Sequence, residues 1–432
     1  MKILEEKRDF EFMTERVKER PLNKRKLLRK TIITVTMAVI FGLIACVTFL
    51  VLEPVFSNWL YPGEEIEMIE IPQDTDEVLP EDMLVHEESM LEQTEQVINS
   101  LKNEMQLNPS SYQELYSSIY VLTQELNAAM VTVTSVSQDI DWFNDPYENK
   151  GQTTGFLFAD NNRELMILVM SRELTVGEEL KVTFANGDQA TAAIKGTDTE
   201  TGLTVLAVEK DALVETTTES IQFINLGRSA GARLTASPVV AIGRPLGKQN
   251  SVVFGMITSE DTVLSLTDAN YKLLTTDIYG STDATGLLIN MDGQVIGVIN
   301  QSYNNKTAAN LISAIGITEL KLVLQRMSNG FENSYLGIKG TDVPEEIAVS
   351  LKVPQGAYVT GIVMDSPAMA AGIQSGDVIV QMGKLEIRSF KDYTEAVRQK
   401  NPGEVVEMVV MRQGQQTYRM VNLEVTMGKL EY

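Results

Sequence analysis

The hydrophobic pattern changes character several times along the chain. Residues 31–52, TIITVTMAVIFGLIACVTFLVL, run for 22 positions without a charge, and about 20 apolar residues span a bilayer as a helix. Beyond them the periodicity disappears. Residues 61–82, YPGEEIEMIEIPQDTDEVLPED, mix proline, glycine and acids, and predict an extended, self-repelling linker. Leu91, Ile98 and Met105 then recur every seven residues, with Leu101 between them, a short heptad pattern. After Asn108-Pro109, the positions Tyr112, Leu115, Tyr116, Ile119 and Tyr120 share one face at helical spacing and predict a second helix.

From about residue 129 the runs become short, apolar or alternating: MVTVTSV, TGFLF, LMILVM, LKVTF, ATAAI, LTVLAV, PVVAIG, SVVFGMI, GLLIN and QVIGVIN. Turn residues separate them, and Asn186-Gly187 and Asp292-Gly293 are strong hairpin signals. Many short strands at this spacing predict a mainly β region, a sandwich or a pair of barrels. The helix TELKLVLQRM, about 318–327, closes it. Two further helix starts follow: Ser366-Pro367, with Gly372 as the stop, and Ser389 ahead of FKDYTEAVRQ.

Charge adds direction. The chain of 432 residues carries 59 Asp+Glu against 36 Lys+Arg, a net −23. A nucleic-acid partner is excluded, because phosphate attraction needs a basic field. The segment PLNKRKLLRK before the apolar run holds five basic residues, whereas 53–100 holds 14 acids and no Lys or Arg. The positive-inside rule then puts the N-terminus in the cytoplasm and the bulk of the chain outside it, anchored at a cell membrane by one helix. The first 30 residues carry 11 basic and 6 acidic side chains, so the remainder holds −28. One cysteine, Cys46, excludes an internal disulfide and a cysteine-rich metal site, and no D-x-D-x-D-G loop is present; no metal or cofactor is expected. The single histidine, His86, lies in MLVHEESMLE among acids and reads as an exposed helix residue.

Three segments in order then carry a resemblance. GTDTETGLTVLAV (196–208), DATGLLINMDGQVIGVIN (283–300), and TTGFLF followed by ELMILVMSREL resemble the GTD-x-x-TDLAVLKV, GNSGGPLVN-x-x-G-x-VIGIN and GSGF…LTNxHVV segments of HtrA/DegP-like trypsin-like serine proteases. The resemblance implies a trypsin-like double β-barrel over 129–328, and a homotrimer as in that family. Laid residue by residue, it puts Arg172 at the catalytic histidine, Gly202 at the aspartate and Ala284 at the serine; counting forward from Thr276-Asp277 gives Thr285 instead of Ala284. Such proteases need a Ser nucleophile, a His base and an orienting Asp. Arginine stays protonated and cannot act as the base. Alanine has no nucleophilic oxygen, and glycine orients nothing. No shift of register creates a histidine. The expectation is a catalytically degenerate member; an active serine endopeptidase with a diverged site, built for instance on Thr285, is the alternative.

Residues 333–428, with NSYLGIKG and GAYVTGIVMDSPAMAAGIQSGDVIVQMGKLEIRSFKDYTEAV, resemble the PDZ domain that follows HtrA proteases. PDZ domains add a peptide as a strand and capture its C-terminal carboxylate on backbone N–H groups. The resemblance assigns that loop to Tyr335, Leu336, Gly337 and Ile338. The expected organisation is a basic segment (1–30), a transmembrane helix (31–52), an acidic linker and helical spacer (53–128), a protease-like domain (129–328) and a PDZ domain (333–428). The expected function is a pseudoprotease that binds protein C-termini or unfolded peptides in envelope quality control. A PDZ adaptor with a vestigial barrel is a further alternative.

Overall fold

The computed structural model describes residues 32–43, 48, 67–74, 109–140, 146–170, 174, 179–231, 233–304, 308–415 and 417–429. Arg172, His86 and Cys46 lie outside them, as does the heptad segment. Residues 1–65 and 66–432 form separate units. In the first, residues 32–43 are helical and present apolar side chains to the surroundings, Phe41 among them. Among the described residues no helix is long and apolar enough to cross a membrane. The described helix covers only part of the 31–52 run.

The second unit opens with a segment the composition alone misreads. Residues 67–74 do not float as a solvated linker. Ile69 and Ile71 are buried, and their N–H groups donate to the side chains of Asn329 (2.9 Å) and Gln325 (3.0 Å). Asp74 accepts from the buried Lys321 at 2.7 Å and from Thr318 at 2.6 Å. Alternate isoleucines among acids read as linker because the partner surface lies some 250 residues away in sequence. The helix α1, Pro109–Asn127, follows where the tyrosine face predicts it.

The first barrel comprises β1 (Met130–Ile140), β2 (Pro146–Asp160), β3 (Glu164–Met170), β4 (Glu179–Thr183), β5 (Gln189–Asp198) and β6 (Leu203–Glu209), closed in the order β1-β2-β3-β6-β5-β4. The second comprises β7 (Asn225–Leu226), β8 (Pro238–Arg244), β9 (Ser251–Leu266), β10 (Ala269–Tyr279), β11 (Thr285–Ile289), β12 (Gln294–Asn300) and β13 (Leu311–Gly316). Its order β11-β8-β9-β10-β13-β12 closes through β11–β12, and β7 joins β12 in parallel. The continuous apolar runs explain how the barrels meet. Strand faces alternate, so in ELMILVM the residues Leu165, Ile167 and Val169 fill the first barrel. Met166, Leu168 and Met170 instead join a shared core with Ile242, Leu287 and Val298 of the second. A strand buried on both faces must be apolar at every position. The helix α2, Ile317–Ser328, seals that shared core with Leu320, Val323, Leu324 and Met327.

The C-terminal domain begins with β14 (Ser334–Tyr335) and β15 (Ile338–Asp342). Then come β16 (Ala357–Ile362), the short helix α3 (Pro367–Ala370), β17 (Val378–Met382), β18 (Leu385–Glu386), α4 (Phe390–Arg398), β19 (Val405–Gln413), β20 (Tyr418–Thr426) and β21 (Gly428–Lys429). The sheet runs β15-β16-β17-β19-β20, with β15 at its edge. Ser366 caps α3 through the Met369 N–H. Ser389 and Asp392 form a capping box at α4, worth about 1 kcal/mol. Phe390, Tyr393 and Val397 of α4 pack on Leu336, Ile338 and Val359 in a separate core.

Candidate functional site

Two places could bind an anion, and the chain treats them differently. The first is a cleft of about 360 Å³ between the barrels, lined by Thr153, Gly202, Arg244, Ala284, Thr285 and Asn300 among others. The positions matched to the aspartate and the serine thus meet in one cleft. Ala284 is 2% exposed and its methyl group belongs to the core of the second barrel, with Val239, Ala241 and Leu288. Thr285 begins β11 and is only partly buried. Gly202 has φ +74, in the left-handed region, and its N–H donates to the Asp198 carbonyl at 2.8 Å. The Ala284 N–H, which at the serine position would face a developing oxyanion, donates to the Ser281 carbonyl at 3.1 Å. The carboxylate of Asp283 accepts from the Ser281 hydroxyl and from Arg244 Nη2, the latter at 3.0 Å. Those partners hold it below the usual carboxylate range. A base held that low takes up a proton poorly near neutral pH.

The second place is the loop leading into β15. Gly337 has φ +91, and a Cβ there would sit 2.3 Å from the Cβ of Ser366, so this turn requires glycine. The turn aims three successive N–H groups at one point. All three meet a carboxylate. Leu336 N and Gly337 N donate to Asp268 Oδ2 at 2.7 and 2.8 Å, and Ile338 N donates to Oδ1 at 2.8 Å. The Tyr393 hydroxyl adds a fourth bond to Oδ1 at 2.5 Å. Of the predicted loop residues, Leu336 and Ile338 bury their side chains completely and serve the site only through the backbone. Tyr335 pairs with Gly428 and contributes no N–H to the carboxylate.

Asp268 comes from the second barrel. It sits in the two-residue connection Thr267-Asp268 between β9 and β10, with φ +58, a conformation aspartate tolerates better than most residues. It is 7% exposed. Burial pushes its carboxyl upward, against the pull of the N–H groups and the tyrosine hydroxyl. Sequence reading misses this residue. The available signal was the tight turn between two alternating runs, SVVFGMITSEDTVLSL and ANYKLLTTDIY, which says hairpin but not where the tip lands.

A double six-stranded barrel joined to a PDZ-like sheet defines the class: a trypsin-like peptidase fold with a PDZ-like domain. Comparison with known proteins agrees. Residues 153–298 match the trypsin-like peptidase domain family and residues 332–425 match the PDZ domain family. A "Probable periplasmic serine endoprotease DegP-like" of Hahella chejuensis is 30% identical over 300 residues, covering 67% of this chain and 61% of that protein. The "Serine protease Do-like HtrA" of Bacillus subtilis is 25% identical over 337 residues, 71% of this chain and 73% of that protein. Against the first of these relatives the chain spans about three fifths of the relative's length. Among solved structures, the HtrA-type protease AlgW with a decapeptide aligns over 72% of this chain and 98% of its own, at 22% identity and a TM-score of 0.49. The chain belongs to the HtrA/DegP-like family of trypsin-like serine proteases with a C-terminal PDZ domain.

Proposed function

We propose that this chain is a catalytically silent HtrA family member whose working site is the carboxylate-binding loop of its PDZ domain. It recognises protein C-termini or unfolded segments outside the cytoplasm, anchored by residues 31–52. The observation that carries the reading is the convergence of the Leu336, Gly337 and Ile338 N–H groups on one carboxylate, beside a sheet edge and the helix α4. A free C-terminus offers the same group, and the exposed side of an added strand supplies the remaining hydrogen bonds. The silent cleft is supported by the sequence: the one histidine, His86, precedes the barrel strands in the chain, and the serine and aspartate positions hold Ala284 and Gly202. The net −28 outside the first 30 residues favours apolar or basic peptide tails over acidic ones.

The test is fluorescence anisotropy of the full-length chain with peptides ending in an apolar residue, as free acids and as amides. Free acids should bind, in the micromolar-or-weaker range typical of a small strand-addition interface. Amides should bind at least tenfold more weakly. Equal binding of the two forms would refute carboxylate capture. Turnover of an unfolded protein by the unaltered chain would move the assignment to an active endopeptidase.

A further inference from the structure

A carboxylate has about four lone-pair sites for hydrogen bonds. In Asp268 they are satisfied by four donors, three loop N–H groups and the Tyr393 hydroxyl. The likeness to a peptide terminus extends to the main chain. The Asp268 N–H donates to the Ile338 carbonyl at 2.7 Å, as the last residue of an added strand would do along β15. The Asp268 carbonyl accepts from Thr394 Oγ1 of α4 at 3.0 Å. One step further along the groove, Asn270 Nδ2 donates to the Gly340 carbonyl at 3.1 Å. The hairpin tip therefore lies between β15 and α4, where a ligand would lie. Behind the tip, Arg398 of α4 donates to the Tyr271 hydroxyl at 2.6 Å and to the Glu319 carbonyl at 3.0 Å, holding the domain against the barrel.

We propose that Asp268 is a built-in competitor, an internal mimic of a C-terminal carboxylate that keeps the PDZ loop occupied until a ligand terminus displaces it. The proposal rests on the peptide-binding reading given above and adds its regulation. A tethered carboxylate acts at an effective concentration of about millimolar. Free peptides must exceed that competition, so their apparent affinity is reduced by the fraction of chains in which the loop is open. Exchange is also chemically even: one carboxylate leaves the four donors as another arrives, and no buried N–H is left without a partner during occupancy.

Asp268→Gly in the full-length chain tests this. Glycine accepts φ +58, so the turn survives while the carboxylate is removed. The variant should bind free-acid peptides at least tenfold more tightly than the unaltered chain and should still prefer them to amides. Hydrogen exchange at Leu336–Ile338 should be slow in the unaltered chain, fast in the variant, and slow again when the variant is saturated with free-acid peptide. Tyr393→Phe, which removes one of the four donors, should give a smaller change. Equal free-acid affinity in the unaltered chain and the glycine variant would overturn the competitor while leaving peptide recognition standing. Absence of free-acid binding to the glycine variant, with fast exchange at the loop reporting that it is open, would overturn both.

Discussion

The cleft and the PDZ loop are both anion sites of their fold, and both have their backbone donors engaged, but in ways that differ in reversibility. In the cleft, the Ala284 N–H is bonded to the Ser281 carbonyl three residues earlier in the same turn. Opening it means rebuilding the turn, and no ligand supplies an equivalent carbonyl. In the loop, the donors are held by a side chain from a hairpin 68 to 70 residues away in sequence. On the function proposed above, a ligand carboxylate replaces it group for group, so that the cleft is lost as an anion site while the loop is latent.

The largest effect that could break this contrast is catalytic. The unaltered chain should show no labelling by a fluorophosphonate serine probe, and turnover of an unfolded protein should be on the order of a million-fold below that of an intact triad. Installing Arg172→His, Gly202→Asp and Ala284→Ser together should recover little. The residue-284 N–H remains in its turn, and an oxyanion donor is worth about 3 kcal/mol. The new aspartate would also inherit φ +74. Vigorous turnover by the triple variant would show that the cleft is latent too. Probe labelling of the unaltered chain that disappears in Thr285→Val would show it active as it stands.

Stability should divide along the same line. In the PDZ domain Arg412 grips the buried Asp377 through two bonds, at 2.8 and 2.7 Å, and also donates to the Gly372 carbonyl. The Asp377 side chain is 1% exposed. Arg412→Ala leaves that carboxylate buried and unpaired, and should cost about 3–5 kcal/mol. In the cleft, Arg244 pairs with Asp283, whose side chain is 59% exposed. Arg244→Ala should cost under about 1 kcal/mol. Urea unfolding of the two variants measures both. Similar losses would mean that the cleft is more tightly organised than its surroundings indicate.

The smallest effect concerns the base of the hairpin that carries Asp268. Burial works against ionisation of Glu260. Lys272, on the paired strand at 2.9 Å, and the N–H groups of Thr235 and Leu234 nevertheless hold its pKa at about 2, against the ordinary 4.5. A depressed carboxylate contributes stability that is fully present above its unfolded pKa and is lost as pH falls through the folded one. Acid unfolding should therefore steepen between about pH 4.5 and 2, and Glu260→Gln should flatten that limb. An unchanged acid limb would mean that the pair does not anchor the hairpin.

Much of this molecule follows from residues in order. Alternation and turn residues dictate the strands, because a strand's side-chain period is two whatever it packs against. Runs such as LMILVM announce burial on both faces, and Ser389 with Asp392 announces the start of α4, because capping is a contact over three residues. The absence of any histidine between residues 129 and 328 is a fact of sequence that no fold can alter. The loop at 336–338 was legible as a carboxylate site only through the resemblance to PDZ domains; the structure adds that Gly337, at φ +91, gives the turn that aims the N–H groups. What filled that loop was not legible. Neither the docking of residues 67–74 on α2 nor the seating of Asp268 between β15 and α4 has a local signature. An isoleucine among acids, or an aspartate in a tight turn, is compatible with water until a distant surface presents the matching donors. Only the packing of barrel against domain brings those donors within reach, and that packing fills the loop at 336–338 with the carboxylate of Asp268.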